Sequence, residues 1–293
     1  AAPLREAAVA EPTTATASEV ATVVGTGGVD HAALAARSRV WGALHVAQRQ
    51  WVNEIPFIHI VLLTALGNPI IYLAAMGIGL GALVTSQVAG VPYLIFVAPG
   101  LLVSTVATSG AGWGTWPIMG GFKWEKNYFA ASATSVTPGQ IALGETIGMT
   151  ARLILQGAAF WVLGLPFNAW HSPWSVLTVP IAMLAGLAFF APLAAYSATI
   201  EDEGIQFNLI NRIIVMPMFL FAGTFFPLDV MPIYLQWIGW ISPMWHGTQL
   251  ARVAAFGMAY PLEGVVAHLL VLVAYVAVGL VLMRRNFFRR LTK

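Results

Sequence analysis

The sequence predicts an all-α integral membrane protein with six transmembrane helices. Hydrophobic residues make up 58% of its 293 residues and charged residues 9%, whereas about 25% of residues are charged in ordinary soluble domains. The apolar residues are grouped into six runs of about 20 residues, the length that a helix needs to cross the hydrocarbon core. Composition and run length together predict one membrane domain and leave no room for a soluble catalytic domain.

Two segments precede the first apolar run. Residues 1–36 are rich in Ala, Thr, Val and Gly and lack the charged start and continuous apolar core of a secretory signal, so we expect a disordered cytoplasmic tail. In residues 37–56, Trp and aliphatic residues recur at near-helical spacing from Trp41 to Ile55. This pattern predicts an amphipathic helix that lies in the inner membrane interface. The alternative is a helix that packs as an extension of the first span.

Residues 57–293 are predicted to form the membrane domain. Its predicted spans are 57–83, 92–112, 139–164, 175–199, 208–226 and 263–283. Prolines inside four of these spans predict kinks. They are Pro69, Pro99, Pro192 and Pro217.

The distribution of basic residues predicts the orientation of the chain. Lys123 and Lys126 lie between the second and third spans, and five basic residues follow the sixth. The connections at 84–91 and 165–174 contain no Lys or Arg, and 227–262 contains only Arg252. By the positive-inside rule, both termini are cytoplasmic in a protein of the inner (plasma) membrane. This explanation of the basic residues leaves no reason to expect a nucleic-acid partner.

Glu145 and Arg152 are the most distinctive ionisable residues within the predicted spans. Residues seven apart share one face of a helix, and both charges are costly in hydrocarbon, so they are candidates for a translocation pathway. The structural alternative is that Glu145 lies near the inner headgroups and that Arg152 pairs with it or with freed backbone carbonyls.

Other chemical sites are not expected. Cysteine is absent, and the six histidines lack the spacing of a helical metal site, so we expect no bound metal. The sequence contains neither the phosphate loop GxxxxGK[ST] nor the nucleophile elbow GxSxG, so we expect no ATPase or hydrolase activity and no bound cofactor. The acidic run 201–203 is predicted to cap the fifth span, and Asp229 to cap an outer half-helix.

The segment 222–246 is apolar but broken. Pro227, Pro232 and Pro243 each remove a backbone donor, so one straight helix cannot run through it. We expect two short half-helices that enter the membrane and return to the same side, because irregular backbone at membrane depth persists only beside protein or a water-filled cavity. The alternative is an outer loop on the lipid surface with its tryptophans among the headgroups.

Three stretches resemble one family of transporters. They are YLIFVAPGLL at 93–102, ALGETIGMTAR at 142–152 and FLFAGTFFPLDVMPIYLQWIGWISPMWHGTQLAR at 219–252. Over residues 40–293 the chain resembles permeases of type-2 ABC exporters, particularly the branch that exports lipo-oligosaccharide nodulation factors.

The resemblance implies six spans per permease, a pair of permeases expected to be a homodimer, and two separate nucleotide-binding subunits that hold ATP and Mg²⁺. It places a coupling helix in the loop 121–138, a gate helix at 39–55 and outer re-entrant helices at 227–251. The implied contacts with the ATPase are Lys123, Trp124, Glu125, Lys126 and Asn127. The implied outer gate comprises Phe226, Pro227, Tyr234, Trp237, Trp240, Trp245 and His246.

The function expected from residues and resemblance is ATP-driven export of an amphiphile, a glycolipid or lipo-oligosaccharide, with membrane lipid as a further partner. A close alternative keeps the architecture and changes the cargo to a hydrophobic drug or antibiotic. A proton-coupled transporter with Glu145 as relay would require internal repeats, and none is found. A membrane-embedded glycolipid transferase would require a convergent acid/base or metal site.

Overall fold

The computed structural model describes residues 31–59, 63, 67, 71–80 and 87–293. Within these residues the backbone is helical or irregular, and the β-type pairing is an isolated bridge between Val88 and Val91. The predicted tail lies mostly outside the described residues, and so does much of the first predicted span.

The described residues form eleven α-helices. They are α1, His31–Glu54; α2, Tyr93–Trp113; α3, Trp116–Lys123; α4, Asn127–Ser132; α5, Pro138–Gly164; α6, Thr178–Ser197; α7, Gln206–Ile210; α8, Met216–Phe221; α9, Ile233–Ile241; α10, Pro243–Phe256; and α11, Leu262–Leu291. Shorter 3-10 helices cover Ile55–Phe57, Pro173–Leu177 and Leu228–Val230, and π-helices cover Leu73–Leu80 and Asn211–Val215.

Four helical segments are long and apolar enough to cross a membrane: Tyr93–Lys123, Pro138–Gly164, Pro173–Ser197 and Leu262–Leu291. They coincide with the second, third, fourth and sixth predicted spans. The capping box at the start of α5, in which Thr137 and Gln140 satisfy each other's backbone amides, explains why that helix begins where it does.

The fifth predicted span, 208–226, differs from the structure at its end. The apolar helical run covers Gln206–Phe221 and contains the π-helix 211–215, which ends two residues before Pro217. The helix stops at Phe221 because Gly223 adopts a left-handed conformation with φ of 76°. Residues 222–226 therefore form an irregular segment, here called the exit loop.

Helix α6 is at the centre of the bundle, where α2, α5, α10 and α11 pack against it. Small residues allow these close approaches. A methyl group at Gly110 of α2 would overlap the Gly186 carbonyl of α6, and a Cβ at Gly279 of α11 would lie 2.7 Å from the Pro192 ring. Substitutions at these crossings would push the central helices apart.

The connections between the helices lie at the two ends of the bundle. At one end, the Lys123 ammonium donates to Glu203, and Arg290 donates to the carbonyl of Ala198. At the other end, the backbone N–H groups of His171 and Ser172 both donate to the carbonyl of Ala255, which joins the loop before α6 to the end of α10. The first end is called the basic end, and the second, which the charge pattern predicts to face outward, is called the outer end.

Candidate functional site

Helix α1 packs lengthwise on α5 at the basic end of the bundle. A Cβ at Gly144 would lie 2.6 Å from the Ala43 carbonyl oxygen, and one at Gly148 would overlap the Gln50 side chain. These two glycines, four residues apart, form the surface on which α1 rests. The contacts advance together along both helices, so α1 follows α5 rather than crossing it.

Glu145 is buried where α1, α4 and α5 meet. Its Oε1 lies 3.6 Å from Nη2 of Arg49 on α1. Tyr128 of α4 also lies beside it, and burial, followed by the negative charge of Glu145, holds the pKa of the Tyr128 phenol well above its usual range. The phenol therefore stays protonated and available to donate a hydrogen bond to the carboxylate.

Arg152 pairs with Glu54 of α1, and its guanidinium lies 3.8 Å from the centre of the Trp113 ring. Burial raises the pKa of the Glu54 carboxyl, and the nearby Arg152 charge opposes that rise. The alternative in which Arg152 pairs with Glu145 is wrong, because each residue has an oppositely charged partner on α1 instead. The shared face of α5 was predicted correctly, but that face holds α1.

The loop 121–138, here called the coupling loop after the predicted coupling helix, has exposed residues at its tip. Trp124, Glu125 and Lys126 are exposed, Trp124 by 55% of its surface. The Trp124 ring stacks on Trp116, with centroids 6.1 Å apart and planes 9° apart. Lys126 has a left-handed φ of 53° immediately before α4, so the backbone turns sharply there and presents the side chain to solvent.

The other two candidates of this loop have partners within the chain. The Lys123 ammonium donates to the Asp202 carbonyl and to Glu203, and the Asn127 amide donates to Glu125. The predicted cap of the fifth span is wrong in detail, because Asp202 accepts from the N–H of Gly204 before α7 begins. That hydrogen bond lowers the pKa of the Asp202 carboxyl.

The segment 222–246, here called the outer segment, breaks at Pro232 and Pro243, as predicted. Pro232 precedes α9, and Ser242, in an extended conformation, separates α9 from α10, which begins at Pro243. The Ser242 hydroxyl accepts from the N–H of Met244 and so caps α10. The route of these helices relative to a membrane stays a prediction.

Residues of the predicted outer gate divide into exposed and buried groups. Tyr234, Trp237 and Trp240 follow one another at intervals of three along α9 and are exposed. Phe226 is also exposed at the end of the exit loop, and Pro227 follows it as the residue that precedes the 3-10 helix. Trp245 and His246, by contrast, lie in the packed part of α10.

His246 contacts a second histidine that sequence spacing did not connect with it. Its Nδ1 lies 2.6 Å from Nδ1 of His268, and its Nε2 lies 3.0 Å from the Trp240 carbonyl oxygen. His268 Nε2 lies 2.8 Å from the Tyr260 hydroxyl. Within the described residues no three His, Asp or Glu side chains are arranged to hold a metal ion.

Arg252 holds the exit loop in place and was missed as a candidate. It is 1% exposed, its Nη2 donates to the carbonyls of Gly223 and Thr224, and its Nε donates to that of Phe96. The guanidinium also lies 3.7 Å from the centre of the Phe96 ring. Its position as the one basic residue between 227 and 262 was the available signal.

A cavity of about 380 Å³ lies at the outer end beside this arginine and is here called the outer cavity. It is lined by Ala89, Phe96, Pro227, Leu228, Asp229, Gln236, Trp240, Trp245, Gln249, Arg252, Met258, Ala259 and Tyr260. Asp229 lines this cavity, and the predicted cap is wrong because no side chain caps the 3-10 helix 228–230 or α9.

Comparison with known proteins gives one family and several relatives. Residues 45–256 match the ABC-2 type transporter family. Nodulation protein J of Rhizobium meliloti (strain 1021) is 29% identical over 86% of this chain and 94% of its own length, and that of Rhizobium leguminosarum bv. viciae is 27% identical over 79% and 88%. Inner membrane transport permease YadH of Escherichia coli (strain K12) is 24% identical over 66% and 76%.

Proposed function

The chain belongs to the ABC-2 type transporter family, and we propose that it is the membrane-spanning permease subunit of an ATP-driven exporter. The cargo is an amphiphile, a glycolipid or lipo-oligosaccharide, moved outward from the inner leaflet or cytoplasm. The observation that carries the proposal is the family match over residues 45–256, which includes the coupling loop, α5 and the outer segment.

The proposed assembly is a homodimer of six-span permeases in the inner membrane, with both termini cytoplasmic, together with two separate ABC ATPase subunits. Those subunits bind ATP and Mg²⁺, because this sequence has no glycine-lysine phosphate loop. The four candidate spans and the collection of basic side chains at one end support this arrangement.

The geometry at the basic end supplies a route for coupling. Trp124 and Lys126 form the proposed docking surface, and α4 follows directly after them. Tyr128 of α4 lies against Glu145, and α1 is joined to α5 by two ion pairs. A displacement of the coupling loop by the ATPase would therefore move α1 and α5 as a unit.

The proposed cargo is supported by two observations. Several relatives are named Nodulation protein J. In addition, exposed aromatic side chains along α9, from Tyr234 to Trp240, present amphipathic rings suited to a headgroup that is polar at one edge and apolar at its face.

A hydrophobic drug or antibiotic is the second candidate cargo. A cavity of about 280 Å³ between α6, the π-helix 211–215, α8, α10 and α11 has mainly apolar walls, among them Phe189, Ile214 and Met218. Such a groove suits an apolar molecule without a polar headgroup.

The experiment is to purify the chain with and without its separately encoded ATPase partner. We expect ATP hydrolysis only in the complex, and mass spectrometry of natively purified complex to find a bound amphiphile with a sugar head. A bound apolar drug-like molecule would favour the second cargo. The proposal is wrong if the chain alone hydrolyses nucleotide or moves cargo, or if labelling places Lys126 outside the cell.

A further inference from the structure

The outer cavity lies between the 3-10 helix 228–230, α9, α10 and the loop before α11, beside the exit loop. Its volume of about 380 Å³ falls within the range of small-molecule sites. We propose that it is a carbohydrate-binding site that receives a neutral pyranose unit. The inference deepens the proposed function and rests on it, since it names the part of the cargo that this end of the permease recognises.

The aromatic walls suit a sugar ring. Trp240, Trp245 and Tyr260 come from α9, α10 and the loop before α11, so they line the cavity from different elements. The C–H groups on one face of a pyranose form an apolar patch, which packs on an aromatic ring while the hydroxyls at its edge remain free to hydrogen-bond. The indole N–H of Trp245 has no hydrogen-bond partner among the described residues.

The polar side chains that line the cavity include an anion, a cation and a neutral amide, and together they can both donate and accept hydrogen bonds. The Asp229 carboxylate accepts, and the Gln249 amide both donates and accepts. Arg252 lines the same cavity, and its three hydrogen bonds to backbone carbonyls use Nε and Nη2 and none uses Nη1. A sugar hydroxyl also donates and accepts, so it complements this mixture.

The mixture of charges argues against other ligand classes. The carboxylate of Asp229 would repel a phosphate, and the guanidinium of Arg252 would repel a metal cation. A purely apolar molecule would offer no hydrogen-bond partner to the Asp229 carboxylate or the Gln249 amide. A neutral polyhydroxyl compound meets none of these costs.

Two walls of the cavity are held at a fixed separation by the histidine pair. The Trp240 carbonyl can only accept, so His246 Nε2 carries a proton and its Nδ1 accepts when the ring is neutral. His268 Nδ1 must then donate to His246, which leaves His268 Nε2 to accept from the Tyr260 hydroxyl. This ordered chain of hydrogen bonds orients the Tyr260 side chain and ties it to the Trp240 backbone before any ligand arrives.

The test measures oligosaccharide binding to the permease–ATPase complex in lipid nanodiscs. The probes are maltotetraose, cellotetraose and chitotetraose, and mannitol is the acyclic control. Saturation-transfer NMR detects binding of each probe, and titration gives its Kd. We expect saturable binding of at least one tetrasaccharide and none of mannitol. Trp240→Ala and Gln249→Ala should each weaken the Kd by about five- to tenfold, the loss of one good contact.

Trp174→Ala is the matched control, because it removes an exposed indole from the 3-10 helix Pro173–Leu177, which does not line the cavity. It should leave the Kd unchanged. The same tetrasaccharide attached to a lipid in the nanodisc distinguishes two sources of the sugar. Tighter binding of the lipid-linked form assigns a glycolipid headgroup, whereas equal affinity assigns a free oligosaccharide.

Absence of saturable binding to a complex that hydrolyses ATP would overturn the carbohydrate site and leave the proposed function standing. Binding that changes no more in Trp240→Ala and Gln249→Ala than in Trp174→Ala would also overturn it. Failure of the ATPase partner to confer hydrolysis would instead count against the proposed function, while sugar binding by the permease remained measurable.

Discussion

The ion pair between Glu54 and Arg152 joins α1 to α5, and Glu54→Gln tests its contribution. The two side chains are 15% and 11% exposed. Removing one partner lowers the free energy of unfolding by about 3–5 kcal/mol when the pair is buried and by about 0–1 kcal/mol when it is exposed. Because the Trp113 ring still stabilises the Arg152 cation, we expect a loss of about 2–3 kcal/mol.

For a domain of this size, that loss corresponds to a fall in melting temperature of about 5–10 °C. Since the chain has no cysteine, thiol-reactive dyes cannot report its unfolding. The melting temperature is instead measured by heating the purified complex and recording the monodisperse peak that survives in size-exclusion chromatography. The same samples give the ATPase rate.

Arg49→Gln is the matched control at the neighbouring pair. Arg49 is 39% exposed and its nitrogen lies 3.6 Å from the buried Glu145, which keeps Tyr128 beside it, so its loss should cost less, about 1–2 kcal/mol. The exchanged pair, Glu54→Arg with Arg152→Glu, should recover more than half of the stability, short of the contribution from Trp113. If Glu54→Gln changes the melting temperature by less than about 2 °C, or if the exchange recovers nothing, the pair does not hold α1 on α5.

Two further predictions concern the basic end. Trp124→Ala and Lys126→Gly should each lower transport and cargo-stimulated ATPase activity together, because each removes an exposed docking side chain. Glycine is chosen at position 126 because it keeps the left-handed backbone. Intact coupling in both variants would refute the docking surface. Gly148→Leu should lower the melting temperature, because the larger side chain forces α1 away from α5. Gly112→Ala should not lower it, because the added methyl group has no atom near it. Equal effects at the two positions would contradict the close packing of α1 on α5.

Hydrophobic run length located four membrane-length helices because that property is local in sequence. It failed to locate the end of the fifth predicted span, since Phe225 and Phe226 are apolar yet follow the left-handed Gly223. Apolar character alone does not reveal the end of a helix that distant groups help to fix. The hydroxyl of Tyr93 donates to the Phe225 carbonyl, and Arg252 donates to that of Thr224.

Sequence patterns predicted which residues share a helical face better than they predicted the pairings between helices. Helical spacing placed Glu145 and Arg152 on one face, but it could not identify their partners, which come from a helix about a hundred residues earlier in the chain. The Gly144-x-x-x-Gly148 pattern was the readable sign that another helix rests there. His246 and His268 lie on different helices, and no local spacing rule connects them.

At both ends of the bundle, buried polar side chains hold segments that helix packing alone does not position. At the basic end, Glu145 and Arg152 bind α1, and at the outer end Arg252 binds the exit loop through two carbonyls and α2 through a third. Between them, α2 and α6 cross at Gly110 and Gly186 with no room for a side chain. Because such a close-packed crossing resists bending, a displacement imposed at one end would move these helices as rigid bodies and so reach the exit loop.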